Sequence, residues 1–154
     1  MAEGREGKKV KLVIDASVAA KWIISGEPWE EEAKMLKDAI ASGRLEAYAP
    51  TLIIYELASI MSKAVKSSVL KPQDGADALE AVGSIGIKMA PILWREAAEV
   101  LKTAIASGLT VYDSAYLWLS KKLEGKLITA DEKLKEKGAT ITETILLGEL
   151  KLDT

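Results

Sequence analysis

A short apolar run that ends at a carboxylate constrains this chain more than any other feature of its sequence. Residues 10–14 read Val-Lys-Leu-Val-Ile and lead directly to Asp15. Such a run is typical of a strand buried on both faces of a parallel sheet. Residues 17–24 follow with helical character, so the chain makes a strand–turn–helix step. That step places Asp15 at the carboxyl end of the strand, where open α/β sheets bind their ligands.

The length and composition indicate one globular domain. The chain has 154 residues, enough for one domain with a substantial core, and 49% of them are hydrophobic. We expect a single domain over residues 10–154 and a flexible charged arm over residues 1–9. The arm does not have the pattern of a signal peptide, and no apolar run is long enough to span a bilayer. We therefore expect a cytoplasmic protein that does not bind membranes.

The chain contains no cysteine and no histidine. Their absence excludes thiol nucleophiles, thiolate metal sites and a Ser-His-Asp triad. Any chemistry must use carboxylates, hydroxyls, lysine, arginine or a hard metal ion bound by oxygens. The chain also lacks asparagine and has 29% charged residues, which suggests a thermophile, although drift in base composition explains this equally well.

Strand and helix patterns alternate along the chain. Strands are predicted at residues 10–15, 45–49, 86–92, 126–129 and 139–142. Helices are predicted at residues 17–24, 29–42, 51–66, 71–84, 94–107, 110–123 and 132–137. This alternation predicts an α/β protein with a mainly parallel sheet and helices on both of its faces.

Two of the predicted helices have apolar faces that should pack on the core. In the helix over residues 51–66, which Thr51 can cap, the predicted apolar face consists of Ile54, Leu57, Ala58, Met61, Ala64 and Val65. A separate polar stripe on that helix consists of Glu56, Ser59 and Lys63. In the helix over residues 94–107, the predicted apolar face consists of Trp94, Ala97, Ala98, Leu101 and Ile105.

Four acidic residues stand near strand ends or helix starts: Asp15, Glu56, Asp113 and Asp131. Taken alone, each has an ordinary structural explanation. Asp15 and Asp131 can cap the helices that follow them, and Asp113 suits the positive end of a helix dipole. Glu56 can lie on a solvated helix face.

Taken together, the four acids predict one cleft, because loops converge at the carboxyl edge of an α/β sheet. Carboxylates that share a cleft repel one another, and a divalent cation would neutralise them. Mg²⁺ or Mn²⁺ suits a site made only of oxygens, and water activated by such an ion can replace the missing histidine. The net charge of −2 argues against nucleic-acid binding through bulk positive charge, but not through bound cations.

The four acids lie within short segments that share an order and spacing with a known family. The segments are residues 13–17 (Val-Ile-Asp-Ala-Ser), 50–57, 109–116 and 127–134. Together they resemble PIN-domain proteins, in particular toxin ribonucleases of the VapC type, over residues 11–142. The resemblance implies a three-layer α/β/α sandwich with the four acids around one or two Mg²⁺ or Mn²⁺ ions. It also implies cleavage of single-stranded RNA and a small antitoxin that blocks the site.

Hydroxyl groups accompany two of the acids. Ser17 follows Asp15 by two residues, and Thr129 precedes the last acid by two residues. These hydroxyls either orient a carboxylate or contact a phosphate, or they cap a helix start, and the sequence favours neither explanation. Two lysines, Lys21 and Lys63, either face the scissile phosphate or lie in solvent, and solvation is the commoner state of a lysine.

The sequence departs from the family pattern at two positions. Ser59 stands three residues after Glu56, where relatives often carry asparagine, and its hydroxyl can still orient a metal ligand. Trp118 stands where relatives usually have a small residue, and we expect it to affect packing or an interface.

The acids and the resemblance together predict a Mg²⁺/Mn²⁺-dependent endoribonuclease, the toxin of a toxin–antitoxin pair. The catalytic and metal-binding residues would be Asp15, Glu56, Asp113 and Asp131. Ser17, Ser59 and Thr129 would orient these carboxylates or contact phosphate. The expected partners are RNA, a second copy of the chain and an antitoxin that inserts a basic side chain near Asp15 and Asp113.

Three alternatives remain open at this point. A housekeeping RNA-processing nuclease of the same family would carry the same four acids. A catalytically silent interaction module would use its acidic pocket to receive basic side chains. A phosphoacceptor receiver ranks last, because it needs adjacent acids after the first strand, and here Ile14 precedes Asp15.

Overall fold

The structure is a computed structural model that describes residues 10–26 and 28–152. The arm predicted for residues 1–9 lies outside the described residues. The strands are β1 (Lys11–Ile14), β2 (Glu46–Pro50), β3 (Lys88–Ala90), β4 (Lys126–Thr129) and β5 (Thr144–Leu146). The helices are α1 (Ala16–Ala20), α2 (Glu30–Ala41), α3 (Leu52–Lys66), α4 (Pro72–Gly83), α5 (Trp94–Ser107), α6 (Val111–Lys122) and α7 (Glu132–Gly138). A 3₁₀ turn, Leu147–Glu149, follows β5.

The strands form one parallel sheet with the order β3-β2-β1-β4-β5. Successive side chains of β1 pack in different cores, because the side chains of a strand point alternately to the two faces of the sheet. Leu12 and Ile14 pack with Leu36 of α2 on one face, whereas Val13 packs with Leu57 of α3 on the other. The predicted class is confirmed: the fold is α/β, with a parallel sheet between two helical layers.

The central strand β1 lies at the point where the chain direction across the sheet reverses. From β1 the chain moves to β2 and β3 on one side, and later returns to place β4 and β5 on the other. The carboxyl ends of β1 and β4 are therefore neighbours, and the backbone N–H of Asp15 donates to the carbonyl of Ile128 at 3.4 Å. A reversal of this kind opens a crevice at the carboxyl edge of the sheet, which is where such folds bind ligands.

The strand predicted over residues 139–142 is wrong, because β5 begins later, at Thr144. The chain first completes helical turns, in which the backbone N–H groups of Ile141 and Thr142 donate to the carbonyl of Gly138. Gly138 also permits close packing of α7 on α6, since a Cβ atom there would lie 2.6 Å from Leu117 Cδ2. These turns must end before an extended strand can pair with β4.

The predicted cap and apolar face of α3 need correction. The Thr51 side chain makes no capping hydrogen bond because its backbone is already helical, with φ −57° and ψ −21°. The residues that α3 buries are Ile53, Leu57, Met61 and Ala64. Ile54, which was predicted to pack on the core, is 50% exposed. Leu57, Met61 and Ala64 are thus buried as predicted, and Ile53 takes the place of Ile54. The helix packs on both α1 and α4.

Helix α5 buries a face adjacent to the one predicted. Its buried residues are Val100 and Ala104, whereas Trp94, Leu101 and Ile105 are 94%, 51% and 74% exposed. The helix packs on α6 through polar contacts as well as apolar ones. Trp118 of α6 donates from its indole to Glu99 at 2.8 Å, and Lys122 pairs with Glu96. Trp118 thus affects packing, as expected. Among the described helices, none combines the length and apolarity that crossing a membrane requires.

Candidate active site

Asp15 is a buried carboxylate held by three donors. It follows β1 and caps α1, where its Oδ1 accepts from the backbone N–H of Val18 at 3.2 Å. The Ser17 hydroxyl donates to the same oxygen at 2.5 Å, and the Thr129 hydroxyl donates to Oδ2 at 2.5 Å. Burial raises the pKa of Asp15 from 3.8 to about 6, against the opposing effect of these hydrogen bonds.

The hydroxyls of Ser17 and Thr129 join the ends of β1 and β4. Ser17 Oγ also accepts from the backbone N–H of Ala130 at 2.9 Å, and Thr129 Oγ1 accepts from that of Asp131 at 3.0 Å. Of the two explanations left open by the sequence, the geometry supports orientation of a carboxylate, because both hydroxyls donate to Asp15. Helix α1 is capped by Asp15 itself.

Glu56 lies in the second turn of α3, on the polar stripe predicted for that helix, and is half-buried. The Tyr116 hydroxyl, from α6, donates to Glu56 Oε1 at 2.5 Å. Burial raises the pKa of Glu56, and the neighbouring charge of Asp113 acts in the same direction, whereas the bond from Tyr116 acts to lower it.

Asp113 and Asp131 each lie at the start of a helix. The backbone N–H of Asp113 donates to the Thr110 side chain, which caps α6 at 3.0 Å. Burial raises the pKa of Asp113, and the charge of Asp131 raises it further. Asp131 caps α7, where its Oδ1 accepts from the backbone N–H groups of Lys133 at 2.9 Å and Leu134 at 3.2 Å. Capping and membership of an acidic cluster are therefore compatible roles.

The structure brings all four acids to one cleft of about 300 Å³ at the carboxyl edge of the sheet. The other residues that line it include Ser17, Ser59, Lys63 and Tyr116. Thr129 reaches the cleft through its bond to Asp15. Lys21 does not line the cleft, since its ammonium lies over the ring of Trp29, 5.8 Å from the centroid.

Sequence reasoning missed the role of Tyr116, which lies within the helix predicted over residues 110–123. The spacing from Asp113 to Tyr116 puts both side chains on one face of α6. That spacing was the available signal, but the hydrogen bond to Glu56 joins residues 60 positions apart and depends on the common core to which α6 and α3 both contribute.

The donors in the cleft fit a hard divalent cation. All are carboxylate or hydroxyl oxygens, which Mg²⁺ and Mn²⁺ prefer. In the described part of the chain, no ion pair neutralises any of the four acids. Within that same part, no three acids are already close enough to bind one ion together. The carboxylate oxygens instead accept hydrogen bonds from nearby donors, as expected where like charges face one another.

A larger cavity of about 870 Å³ lies at the opposite edge of the sheet, among the first residues of the strands. Its lining includes Lys11, Glu46 and Lys88. Lys88 pairs with Glu46 at 2.6 Å, so these charges largely neutralise each other. This cavity contains none of the predicted site residues.

Comparison with known proteins agrees with the fold. The family model described as "PIN domain" matches residues 12–139. Ribonuclease VapC3 of Pyrobaculum aerophilum is 33% identical over 132 residues, which cover 83% of this chain and 95% of that protein.

Two solved structures illustrate the shared fold. The crystal structure of PAE2754 from Pyrobaculum aerophilum has a TM-score of 0.70 at 23% identity, covering 92% of this chain and 93% of its own. A toxin-antitoxin complex from Klebsiella pneumoniae contains a chain with a TM-score of 0.63 at 16% identity, covering 90% of this chain and 99% of its own.

Proposed function

Because the chain belongs to the PIN-domain family, we propose that it is a metal-dependent endoribonuclease that cleaves single-stranded RNA as the toxin of a toxin–antitoxin pair. The observation that carries the proposal is the cleft lined by four acids, in a chain 33% identical to a VapC ribonuclease. Neither a cysteine nor a histidine competes with this assignment, since the chain has none.

In this proposal Asp15, Glu56, Asp113 and Asp131 hold Mg²⁺ or Mn²⁺. When bound, such a cation lowers the pKa of water and stabilises negative charge on a phosphodiester. Ser17 and Thr129 fix the Asp15 carboxylate, so that it presents the same geometry in each catalytic cycle. Ser59 and Lys63 line the cleft, where they can contact the RNA phosphate.

The raised pKa values of three of the acids support this role. Asp15, Glu56 and Asp113 all hold protons more strongly than free carboxyl groups do. A divalent cation would displace those protons and remove the repulsion that burial makes expensive. A cleft whose carboxylates are costly to ionise therefore suits a metal-binding enzyme.

Two surfaces suit the proposed protein partners: the cleft itself and an exposed stripe on α5. The uncompensated acids suit an antitoxin that inserts an arginine or lysine near Asp15 and Asp113. The exposed stripe on α5, defined by Trp94, Ala98, Leu101 and Ile105, suits a second copy of the chain. Its spacing of four, three and four residues is that of helices that pack on each other. A cytoplasmic location belongs to the same proposal, because the substrate is cellular RNA.

The experiment that tests the activity is cleavage of single-stranded RNA by the purified protein, with Mg²⁺ or Mn²⁺ and with a chelator. We expect cleavage only with metal, and a loss of about 100-fold or more in Asp15→Asn, because losing even a group that supports a metal ligand costs about 10–100-fold. Asp74→Asn is the matched control, because Asp74 is an exposed acid in the first turn of α4. Cleavage that persists in chelator or in Asp15→Asn would contradict the proposed mechanism.

A test in cells separates the toxin from a housekeeping nuclease. Expression of the protein should arrest growth, and co-expression of a small protein encoded beside it should restore growth. The Asp15→Asn variant should not arrest growth. A protein that cleaves RNA without affecting growth would instead support the housekeeping alternative.

A further inference from the structure

Tyr116 is a buried tyrosine whose hydroxyl is used at the edge of the acidic cleft. Its side chain is 1% exposed and packs in the same core as Val13 and Leu57. The hydroxyl donates to Glu56 Oε1 at 2.5 Å. This hydrogen bond connects α6 with α3.

The hydrogen bond restricts the Glu56 side chain to one conformation, and this restriction has an entropic cost. A glutamate side chain has three rotatable bonds, and fixing them loses conformational entropy. A hydroxyl that donates to a carboxylate makes a charge-assisted bond, which is shorter and stronger than a neutral one. Burial raises the pKa of Tyr116, so the hydroxyl remains protonated and acts as a permanent donor. Glu56 Oε2 makes no hydrogen bond within residues 10–26 and 28–152.

We propose that Tyr116 is the positioning residue for Glu56: its hydroxyl holds one carboxylate oxygen so that the other can bind the cation. The inference rests on the proposed function and deepens it. Helix α6 then contributes twice to the site, through Asp113 directly and through Tyr116 one turn later on the same face. The shared core in which Tyr116 of α6 and Leu57 of α3 both lie would then help to determine where the cation binds.

The first test is Mn²⁺ binding by titration calorimetry with the purified wild-type protein, Tyr116→Phe and Tyr112→Phe. Tyr116→Phe removes only the hydroxyl and keeps the ring that fills the core. We expect Mn²⁺ to bind about tenfold more weakly to it, as is usual when a ligand loses its supporting hydrogen bond. Tyr112→Phe is the matched control, because that tyrosine lies on the same helix and is 62% exposed. It should bind Mn²⁺ as wild type does.

A second comparison shows whether Tyr116 acts through Glu56. In the Glu56→Gln background, adding Tyr116→Phe should change the Mn²⁺ affinity less than twofold, because the group it positions is already lost. Melting curves in chelator confirm that each variant is folded. In RNA cleavage, Tyr116→Phe should need about tenfold more Mn²⁺ for half-maximal rate, while kcat at saturating metal stays near that of wild type.

The outcomes separate the two proposals. If wild type binds Mn²⁺ and cleaves RNA, but Tyr116→Phe binds as tightly as wild type or more tightly, the positioning role is overturned and the proposed function stands. The same holds if Tyr116→Phe weakens binding equally with and without Glu56. If wild type neither binds Mn²⁺ nor cleaves RNA, the proposed function fails, and the role of Tyr116 fails with it.

Discussion

Asp15 combines two roles that sequence reasoning treats as alternatives. It caps α1 through the backbone N–H of Val18, and it is the most deeply buried acid of the cleft, at 5% exposure. Its three donors lower the cost of burying a carboxylate but do not cancel it, because the pKa still rises to about 6. The site therefore stores unfavourable free energy in the metal-free protein.

This stored free energy predicts an unusual pH dependence. The pKa of Asp15 is higher in the folded protein, about 6, than its ordinary value of 3.8. The stabilisation by the bound proton is therefore complete below pH 3.8 and is lost as the pH rises through 6. The full difference is about 3 kcal/mol. We expect the unfolding free energy of wild type, relative to that of Asp15→Asn, to fall by up to this amount between pH 4 and 7 in chelator.

Urea denaturation of both proteins across that pH range measures the difference. The comparison with Asp15→Asn removes the contributions of other acids, since both proteins share them. If the unfolding free energies of the two proteins change in parallel with pH, the Asp15 carboxyl group does not have a raised pKa in the folded protein. With saturating Mg²⁺, the fall in the unfolding free energy of wild type relative to Asp15→Asn should be smaller, because the cation replaces the proton.

Asp113 provides a second prediction at this scale. With about 10 mM Mg²⁺ and an affinity of about 1 mM, binding should stabilise wild type by about 1.4 kcal/mol. That corresponds to a rise of roughly 3–5 °C in Tm. Asp113→Asn removes a ligand and a repelling charge, so it should lose most of this increment and melt no lower than wild type in chelator. Asp74→Asn should keep the full increment. If Asp113→Asn also keeps it, Asp113 is only a helix-terminus acid.

At the scale of elements, helix starts position the acids. Thr110 accepts from the backbone N–H of Asp113, and Asp131 caps its own helix, α7. The ends of β1 and β4 are tied by Ser17 and Thr129. Unlike the bonds between β1 and β4, the helix caps are short-range and can be anticipated from the residue types at helix starts. Their convergence on one cleft depends on the sheet that aligns the elements.

The cap of α6 gives a prediction at the scale of elements. Thr110→Ala should destabilise the protein by about 1 kcal/mol, because the backbone N–H of Asp113 loses its acceptor. Thr103→Ala is the matched control, since Thr103 lies inside α5 and donates only to the carbonyl of Glu99. Its replacement should be nearly neutral, because alanine favours a helix interior. Equal losses in both variants, by urea denaturation, would show that capping does not explain the effect.

In the molecule as a whole, the packing of one chain does not explain why the apolar stripe on α5 is exposed. Trp94, Leu101 and Ile105 are all more than half exposed, although their spacing is that of a packed helix face. Burying such a stripe against its own copy would form an isologous interface, in which each residue faces the same helix of the partner. The stripe therefore favours association over solvation.

We expect the protein to be a dimer at micromolar concentration and Leu101→Glu to be a folded monomer. Placing a charge on the stripe opposes burial, while the core is unaffected because Leu101 is 51% exposed. Val69→Glu makes the same change at a residue that is 58% exposed and outside the stripe, so that variant should remain a dimer. Light scattering with chromatography measures the mass of each. A monomeric wild type would rule out this interface.

Local sequence pattern was enough to predict the class of fold and the chemistry that the chain can perform. The apolar run into Asp15 and the alternation of periods predict a parallel α/β sheet, which the structure confirms. The absence of histidine and cysteine leaves oxygen ligands as the basis of any metal chemistry. These conclusions depend on local pattern and residue type, which a linear chain already displays.

Only the tertiary structure decided which groups meet and which faces are covered. The sequence predicted a buried stripe on α5, but periodicity shows that a face is apolar and not what covers it. It placed Tyr116 in a helix register and gave no sign of its bond to Glu56. It also left the roles of Ser17 and Thr129 open, and Thr129 reaches Asp15 only because β4 pairs with β1 in the sheet. Contacts between distant residues depend on packing, and packing is a property of the folded whole.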